Sequence, residues 1–258
     1  MSAITLEVVD EVAIVTIDRP PVNATDRATL TEIGDVFESL AERRDVHVAI
    51  FTGAGDRVFI GGADVKRVDE PVDDPPVALL LDRGIAGRRA LWAVYDCGVP
   101  VIAAVNGHAV GSGVAFAAVA DMIVAADNAT FSTTEIDVGL LGAFSQLSLL
   151  VPRHVARELF LTAERISAGE LHEMGVIRRV VPQAELMPTA LDLARTVAAK
   201  SPIAVRLAKQ SMNRTEFLPL KDAYQLEQDY TARLLGYEDA AEARRAFVEK
   251  RPPNWSWR

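Results

Sequence analysis

A single cysteine, Cys97, stands in 258 residues. One thiol excludes an internal disulfide and a thiolate metal cluster. The four histidines, His47, His108, His154 and His172, are scattered without ligand spacing, so no metal site is expected. Basic residues are outnumbered, 27 Lys and Arg against 36 Asp and Glu, which leaves a formal charge of −9. Bulk charge therefore argues against nucleic acid or an anionic membrane as a partner, although a local basic pocket stays compatible with it. Neither a Walker loop nor a dinucleotide G-x-G-x-x-G is present, because Phe116 stands where the third glycine would follow Gly111 and Gly113. Gly111-Ser112-Gly113 also lacks the flanks of a nucleophile elbow. The opening Met1-Ser2-Ala3-Ile4-Thr5-Leu6-Glu7 has no basic head followed by an apolar stretch, so a cytoplasmic enzyme or binding protein is expected.

Charge is nearly missing from residues 97–126, where Asp121 is the one formal charge. Length alone would suit a membrane crossing. Pro100, Asn106, Gly107, Gly111 and Gly113 break the stretch into pieces too short for that. A buried strand, a glycine-rich turn, a short helix and a second buried strand account for it better. Half of all residues are hydrophobic and 24% charged, the balance of a folded globular chain. At this size roughly 70–75% of the unfolded surface becomes buried, enough for a substantial core.

Alternation over Thr5–Val9 and Val12–Asp18, around Asp10-Glu11, predicts a hairpin ended by Arg19-Pro20-Pro21. Leu30, Ile33, Phe37 and Leu40 lie at helical spacing within 26–43. Val46–Phe51 reads as a buried strand, 79–95 as a helix, and 99–105 and 121–126 as strands flanking a helix after Gly113. Residues 66–76, acidic and proline-rich, read as a mobile surface loop. The pattern loosens over 132–145, which suggests a loop-rich site region. Ser167 and Glu170 form a capping box for a helix that stops at Gly175, and Ser201-Pro202 opens another. Strand and helix alternating in this way predict an α/β core with crossover connections. The turn to almost pure helix near residue 195 divides the chain into 1–195 and 196–258.

Two glycine-marked strand exits stand out: Phe59-Ile60-Gly61-Gly62-Ala63-Asp64, and Asn106 to Gly113. Glycines there let the backbone turn outward and present N–H groups, and the second exit also aims a helix N-terminus at a ligand. Two such donors meeting at one oxygen would make an oxyanion hole, whereas either exit by itself is better explained as a plain tight turn.

These stretches resemble the two signature segments of the crotonase (enoyl-CoA hydratase/isomerase) superfamily, F-x-x-G-A-D within 51–65 and P-V-I-A-A-V-N-G-x-A-x-G-x-G over 100–113. Similarity continues through Arg19-Pro20-Pro21-Val22-Asn23-Ala24, Leu161-Thr162-Ala163, Ser201 to Val205 and Ala246 to Pro252, covering nearly the whole chain. The resemblance implies a spiral of ββα units with a C-terminal helical region for trimerisation, and a homotrimer or a hexamer formed as a dimer of trimers. It implies an acyl-CoA thioester as partner, with coenzyme A bound as part of the substrate and no separate cofactor. By motif position the thioester oxygen falls between the N–H groups of Ala63 and Ser112. Ser112 replaces a residue that is usually glycine, and its side chain is placed to narrow the pocket. Gly62 and Gly111 accompany the two donors.

Family hydratases use two glutamates. Ala115 occupies the place of one, and Glu135, after Phe131-Ser132-Thr133-Thr134, matches the other. One carboxylate suits isomerase-type chemistry, since a single base can take a proton and return it elsewhere. Single-glutamate hydratase chemistry is the close competitor, and a catalytically reduced thioester-binding homologue is the alternative from another class. If 135–137 is extended, Asp137 shares a face with Glu135 and either replaces the missing acid or perturbs it; otherwise it serves as an ion-pair or capping group. His108 either lines the acyl pocket or is a structural histidine. By resemblance Asn23 and Ala24 lie near the adenine and pantetheine, with Asp64 and Lys66 close by. Phe247 and Lys250 match a segment that reaches coenzyme A, sometimes across a subunit boundary, although a solvated helix face explains them equally well.

Overall fold

The computed structural model describes residues 2–67 and 76–258. Asp69, Glu70, Asp73 and Asp74 of the expected acidic loop lie outside them. Strand β1 (Ile4–Val9) pairs antiparallel with β2 (Val12–Ile17). Asp10 and Glu11 between them take φ of 49° and 65°, the two left-handed residues that a tight hairpin needs to match strand twist. Helix α1 (Arg27–Ser39) begins at Asp26, whose carboxylate accepts the Thr29 N–H, and it buries Ile33 and Phe37. Then come β3 (Val48–Gly53), β4 (Val58–Ile60), α2 (Val77–Leu81), α3 (Ile85–Tyr95), β5 (Val101–Val105) and β6 (His108–Val110). Helix α4 (Ser112–Val119) leads to β7 (Met122–Ala126) and β8 (Thr130–Ser132). The remainder runs α5 (Phe144–Leu150), α6 (Arg153–Thr162), β9 (Ile166–Ser167), α7 (Ala168–Glu173), β10 (Arg179–Val181) and α8 (Leu186–Ala198). The chain finishes with α9 (Pro202–Thr215), α10 (Leu220–Leu235) and α11 (Glu238–Glu249).

The strands form two sheets, ordered β1-β2-β3-β5-β7-β10 and β4-β6-β8-β9. Each turn of the chain gives one strand to the large sheet and the next to the small one: β3 then β4, β5 then β6, β7 then β8. Pairing within these sets is parallel. That is the expected spiral of ββα units. Strands β3 and β5 are buried along their full length, which explains their unbroken apolar sequence. One face packs on Leu186, Ala190, Ala194 and Ala198 of α8. On the other, Phe51 meets Phe37, Phe59 and Phe116 edge to face at 5.2, 5.5 and 5.7 Å. This aromatic knot joins α1, β3, β4 and α4, the elements that frame the site.

Three local readings change. The helix expected over 79–95 is two helices, because the Asp82 side chain accepts the Gly84 N–H at 3.0 Å and turns the chain there. The helix expected after Gly113 already starts at Ser112. Within 132–145, residues Glu135–Val138 form a 3₁₀ turn, and α5 begins at Phe144. The capping box at Ser167 and the Ser201 cap with Pro202 behind it form as expected. Helix α8 runs through position 195 and stays on the sheet, and the chain leaves it at Ser201. No helix among the described residues is long and apolar enough to cross a membrane.

Candidate active site

A cavity of about 910 Å³ opens where the first turn of the spiral meets α4 and the segment after β8. Its floor comes from two backbone crossings. Leaving β4, the chain forms a parallel bridge between Ala63 and Thr25. The Thr25 N–H donates to the Gly62 carbonyl at 2.7 Å, and the Asp64 N–H donates to the Thr25 carbonyl at 2.8 Å. In a parallel bridge the flanking residues hold the partner, so the N–H of Ala63 itself points away from Thr25.

The second crossing is the entry to α4. Gly111 takes φ +54°, a conformation costly for other residues, and its N–H donates to the Ser132 carbonyl at 2.9 Å. Ser112 is the first helical residue, where backbone N–H groups have no acceptor within the helix and the helix dipole is positive. A Cβ at Gly113 would collide with the Ile60 carbonyl, so only glycine lets α4 lie this close to β4.

Glu135 closes the site from above. A Cβ built on Gly111 would lie 2.7 Å from its Oε1. Its Oε2 is buried and has no hydrogen-bond partner among the described residues. Burial pushes this carboxyl above the ordinary glutamate range, because few groups nearby replace the lost water. Ala115, one helical turn from Gly111, presents its methyl to the same cavity.

Polar groups collect at the other end. Arg19 donates to both Asp26 and Asp64 at 2.9 Å, and its hydrogen bond holds the Asp64 carboxyl below the ordinary aspartate range. Arg67 also reaches Asp26, at 2.8 Å. Burial opposes ionisation of Asp26, yet hydrogen bonds from Thr29 and Arg67 with the charge of Arg19 bring it to about 2. Lys66 and Arg88 line the cavity too, the latter paired with Asp82. The lining thus carries three cations against two carboxylates, on a chain that is acidic as a whole.

Of the residues expected from sequence, Ala24, Gly62, Ala63, Asp64, Lys66, Gly111, Ser112 and Glu135 line this one cavity. Others do not. Asn23 is buried and committed to the fold, its Oδ1 accepting the Arg19 N–H and its amide donating to the Val58 and Phe59 carbonyls. His108 sits in β6 with Nδ1 2.8 Å from Thr130 Oγ1, a structural histidine. Asp137 is exposed: in a 3₁₀ turn, residues two apart are about 240° apart around the axis, so it does not share a face with Glu135. Phe247 and Lys250 end α11, exposed and outside the cavity lining. Arg19, Thr25 and Arg88 were missed as site residues. Arg19 and Thr25 flank the Asn23 turn, and nothing local in the sequence ties them to the glycine exits.

The enoyl-CoA hydratase/isomerase family model matches residues 7–258. A (7aS)-7a-methyl-1,5-dioxo-2,3,5,6,7,7a-hexahydro-1H-indene-carboxyl-CoA hydrolase of Rhodococcus jostii is 40% identical over 246 residues, spanning 95% of this chain and 93% of the relative. A carnitinyl-CoA dehydratase of Proteus mirabilis is 38% identical, with 94% of each chain covered. Among solved structures, an enoyl-CoA hydratase/isomerase from Mycobacterium paratuberculosis superposes with a TM-score of 0.91 at 32% identity, covering 99% of both chains. With the spiral architecture and both signature crossings in one cavity, these likenesses place the chain in the enoyl-CoA hydratase/isomerase family, the crotonase superfamily.

Proposed function

We propose that the protein transforms an acyl-CoA thioester through an enolate, with the carbonyl oxygen held by the N–H groups of Ala63 and Ser112 and the proton carried by Glu135. The observation that carries this reading is the Glu135 carboxylate, buried and unpartnered at Oε2 and seated against Gly111 beside the start of α4. A carboxylate held above its ordinary range is a stronger base than a solvated one, as proton transfer from carbon needs. As the proton leaves, charge moves to the thioester oxygen, where two fixed amides and the α4 dipole stabilise it more than the neutral ground state.

Ala115 bears on the choice of reaction. Its methyl cannot hold or ionise a water, so one carboxylate must both take and return the proton. That favours double-bond migration in an enoyl thioester. Single-glutamate hydration or dehydration is the second reading, favoured by the likeness to a carnitinyl-CoA dehydratase. Coenzyme A enters as part of the substrate, its anionic groups toward Lys66 and Arg88 and its acyl group along Leu91, Phe116 and Leu140. Residues 196–258 assemble a trimer or hexamer, in which Phe247 and Lys250 reach the coenzyme A of a neighbouring subunit.

The test is incubation with β,γ-enoyl, α,β-enoyl and 3-hydroxyacyl thioesters, with products followed by mass and NMR. Double-bond migration at constant mass supports the first reading, and a gain or loss of water supports the second. Glu135→Gln is expected to lower turnover by about two to four powers of ten. Undiminished turnover in that variant overturns the mechanism.

A further inference from the structure

Thr25 is 3% exposed, and each of its polar groups is tied to one of the two crossings. Its N–H and its carbonyl hold the Gly62 carbonyl and the Asp64 N–H. Its hydroxyl donates to the same Gly62 carbonyl at 3.2 Å and lies 3.0 Å from Ser112 Oγ. Each hydroxyl carries one proton, and either can supply the one shared between them. Whichever donates, the bond holds the Ser112 side chain against Thr25.

We infer that the Thr25–Ser112 hydroxyl bond is a clamp that sets the spacing between the Ala63 and Ser112 amides, making Thr25 a positioning residue. This rests on the oxyanion reading above. The two amides belong to segments 49 residues apart in sequence, which leave the paired strands β4 and β6 of the small sheet, the second running straight into α4. Thr25 touches both by hydrogen bonds. Charge stabilisation by fixed donors is steep in geometry, so a small drift of one crossing costs turnover more than binding.

The experiment uses Thr25→Val, Ser112→Ala and the double variant in the full chain, with the most active thioester from the panel. Each single change is expected to lower kcat about tenfold with KM within about twofold, and the double variant is expected to fall no further than the worse single. Thr25→Ser, which restores the hydroxyl, is expected to recover kcat. A second readout is independent of turnover: the infrared carbonyl stretch of bound butanoyl-CoA, labelled with ¹³C at the carbonyl. Hydrogen bonding lowers that frequency in the parent protein, and Thr25→Val is expected to bring it part-way back toward the free value. Losses that multiply in the double variant, or an unchanged stretch and kcat in Thr25→Val, overturn the clamp and leave the oxyanion reading standing. Absence of any downshift in the parent protein overturns both.

Discussion

Glu135 sits in an environment that suits its chemistry and opposes its charge. Because its folded pKa is raised, the native state holds a proton more tightly than the unfolded chain does. Stability therefore falls as pH rises through and above the ordinary glutamate range, and burial of this group is a burden on the fold toward neutral pH. Glu135→Gln, besides its loss of turnover, is therefore expected to be more stable than the parent at pH 7, and the gain should vanish as pH falls below the ordinary glutamate range. Thermal midpoints of both proteins from pH 7 to pH 4 measure this, and a variant less stable than the parent at pH 7 contradicts it. The same raised value places the acidic limb of the rate–pH profile above the ordinary glutamate range. Gly111→Ala is a harsher change, forcing a side chain onto φ +54° and against Glu135 Oε1. It should cost about 1–3 kcal/mol in stability as well as most turnover, read from urea midpoints and initial rates. At this scale the sequence spoke clearly where backbone does the work. The glycine exits marked the two backbone turns, and the family resemblance pointed to Ala63, Ser112 and Glu135, which the structure brings to one cavity. The sequence could not place the side chain of Asn23 or choose between the two readings of His108, because a polar side chain's partners lie far off in sequence: Asn23 bonds carbonyls 35 and 36 residues away, and His108 a hydroxyl 22 away.

Elements were legible where periodicity or a cap marked them. The hairpin, α1 and the buried strands showed their period, and the helices opened by Ser167 and Ser201 showed their caps. The break between α2 and α3 had an apolar rhythm that ran straight through it, and only the Asp82 side chain turning onto Gly84 shows why the helix stops. The 3₁₀ turn at Glu135–Val138 is too short for periodicity to register, yet it alone decides that Asp137 faces solvent. Caps can be tested away from the site. The Ser167 hydroxyl accepts the Glu170 N–H at 3.1 Å, while the Glu170 carboxylate accepts the Ser167 N–H at 2.8 Å. Ser167→Ala is expected to cost about 1 kcal/mol by denaturant midpoint and to leave kcat and KM unchanged, since α7 does not line the cavity. A loss of turnover at full folding would mean that α7 communicates with the site.

Across the whole molecule, the C-terminal segment ties the helical end back to the large sheet. Asp239, wholly buried, accepts the Ser256 N–H and hydroxyl at 2.7 and 2.9 Å and the Trp257 N–H at 3.2 Å. Trp257 packs on the His47 ring, 5.6 Å between centroids, and under the Arg206 guanidinium at 5.2 Å. His47 in turn lies just before β3, with Nδ1 3.1 Å from the Ala198 carbonyl at the end of α8. Glu242 anchors the start of this strap, gripping Arg251 at 2.6 and 3.1 Å and the Asn254 N–H at 2.9 Å. Those hydrogen bonds, Arg251 foremost, lower its pKa to about 2. A depressed carboxylate stabilises the fold fully above its unfolded value and loses that contribution as pH falls toward the folded one. Glu242→Gln is therefore expected to be less stable than the parent at pH 7, with the gap closing between the ordinary glutamate range and about 2. Some acid sensitivity should persist in the variant, because Asp26 is depressed to about 2 by a separate set of partners. Urea midpoints at pH 7, 5, 4 and 3 separate the two contributions. A gap that stays constant over that range would mean that the strap is held by packing of Trp257 and its neighbours, with the Glu242 charge contributing nothing.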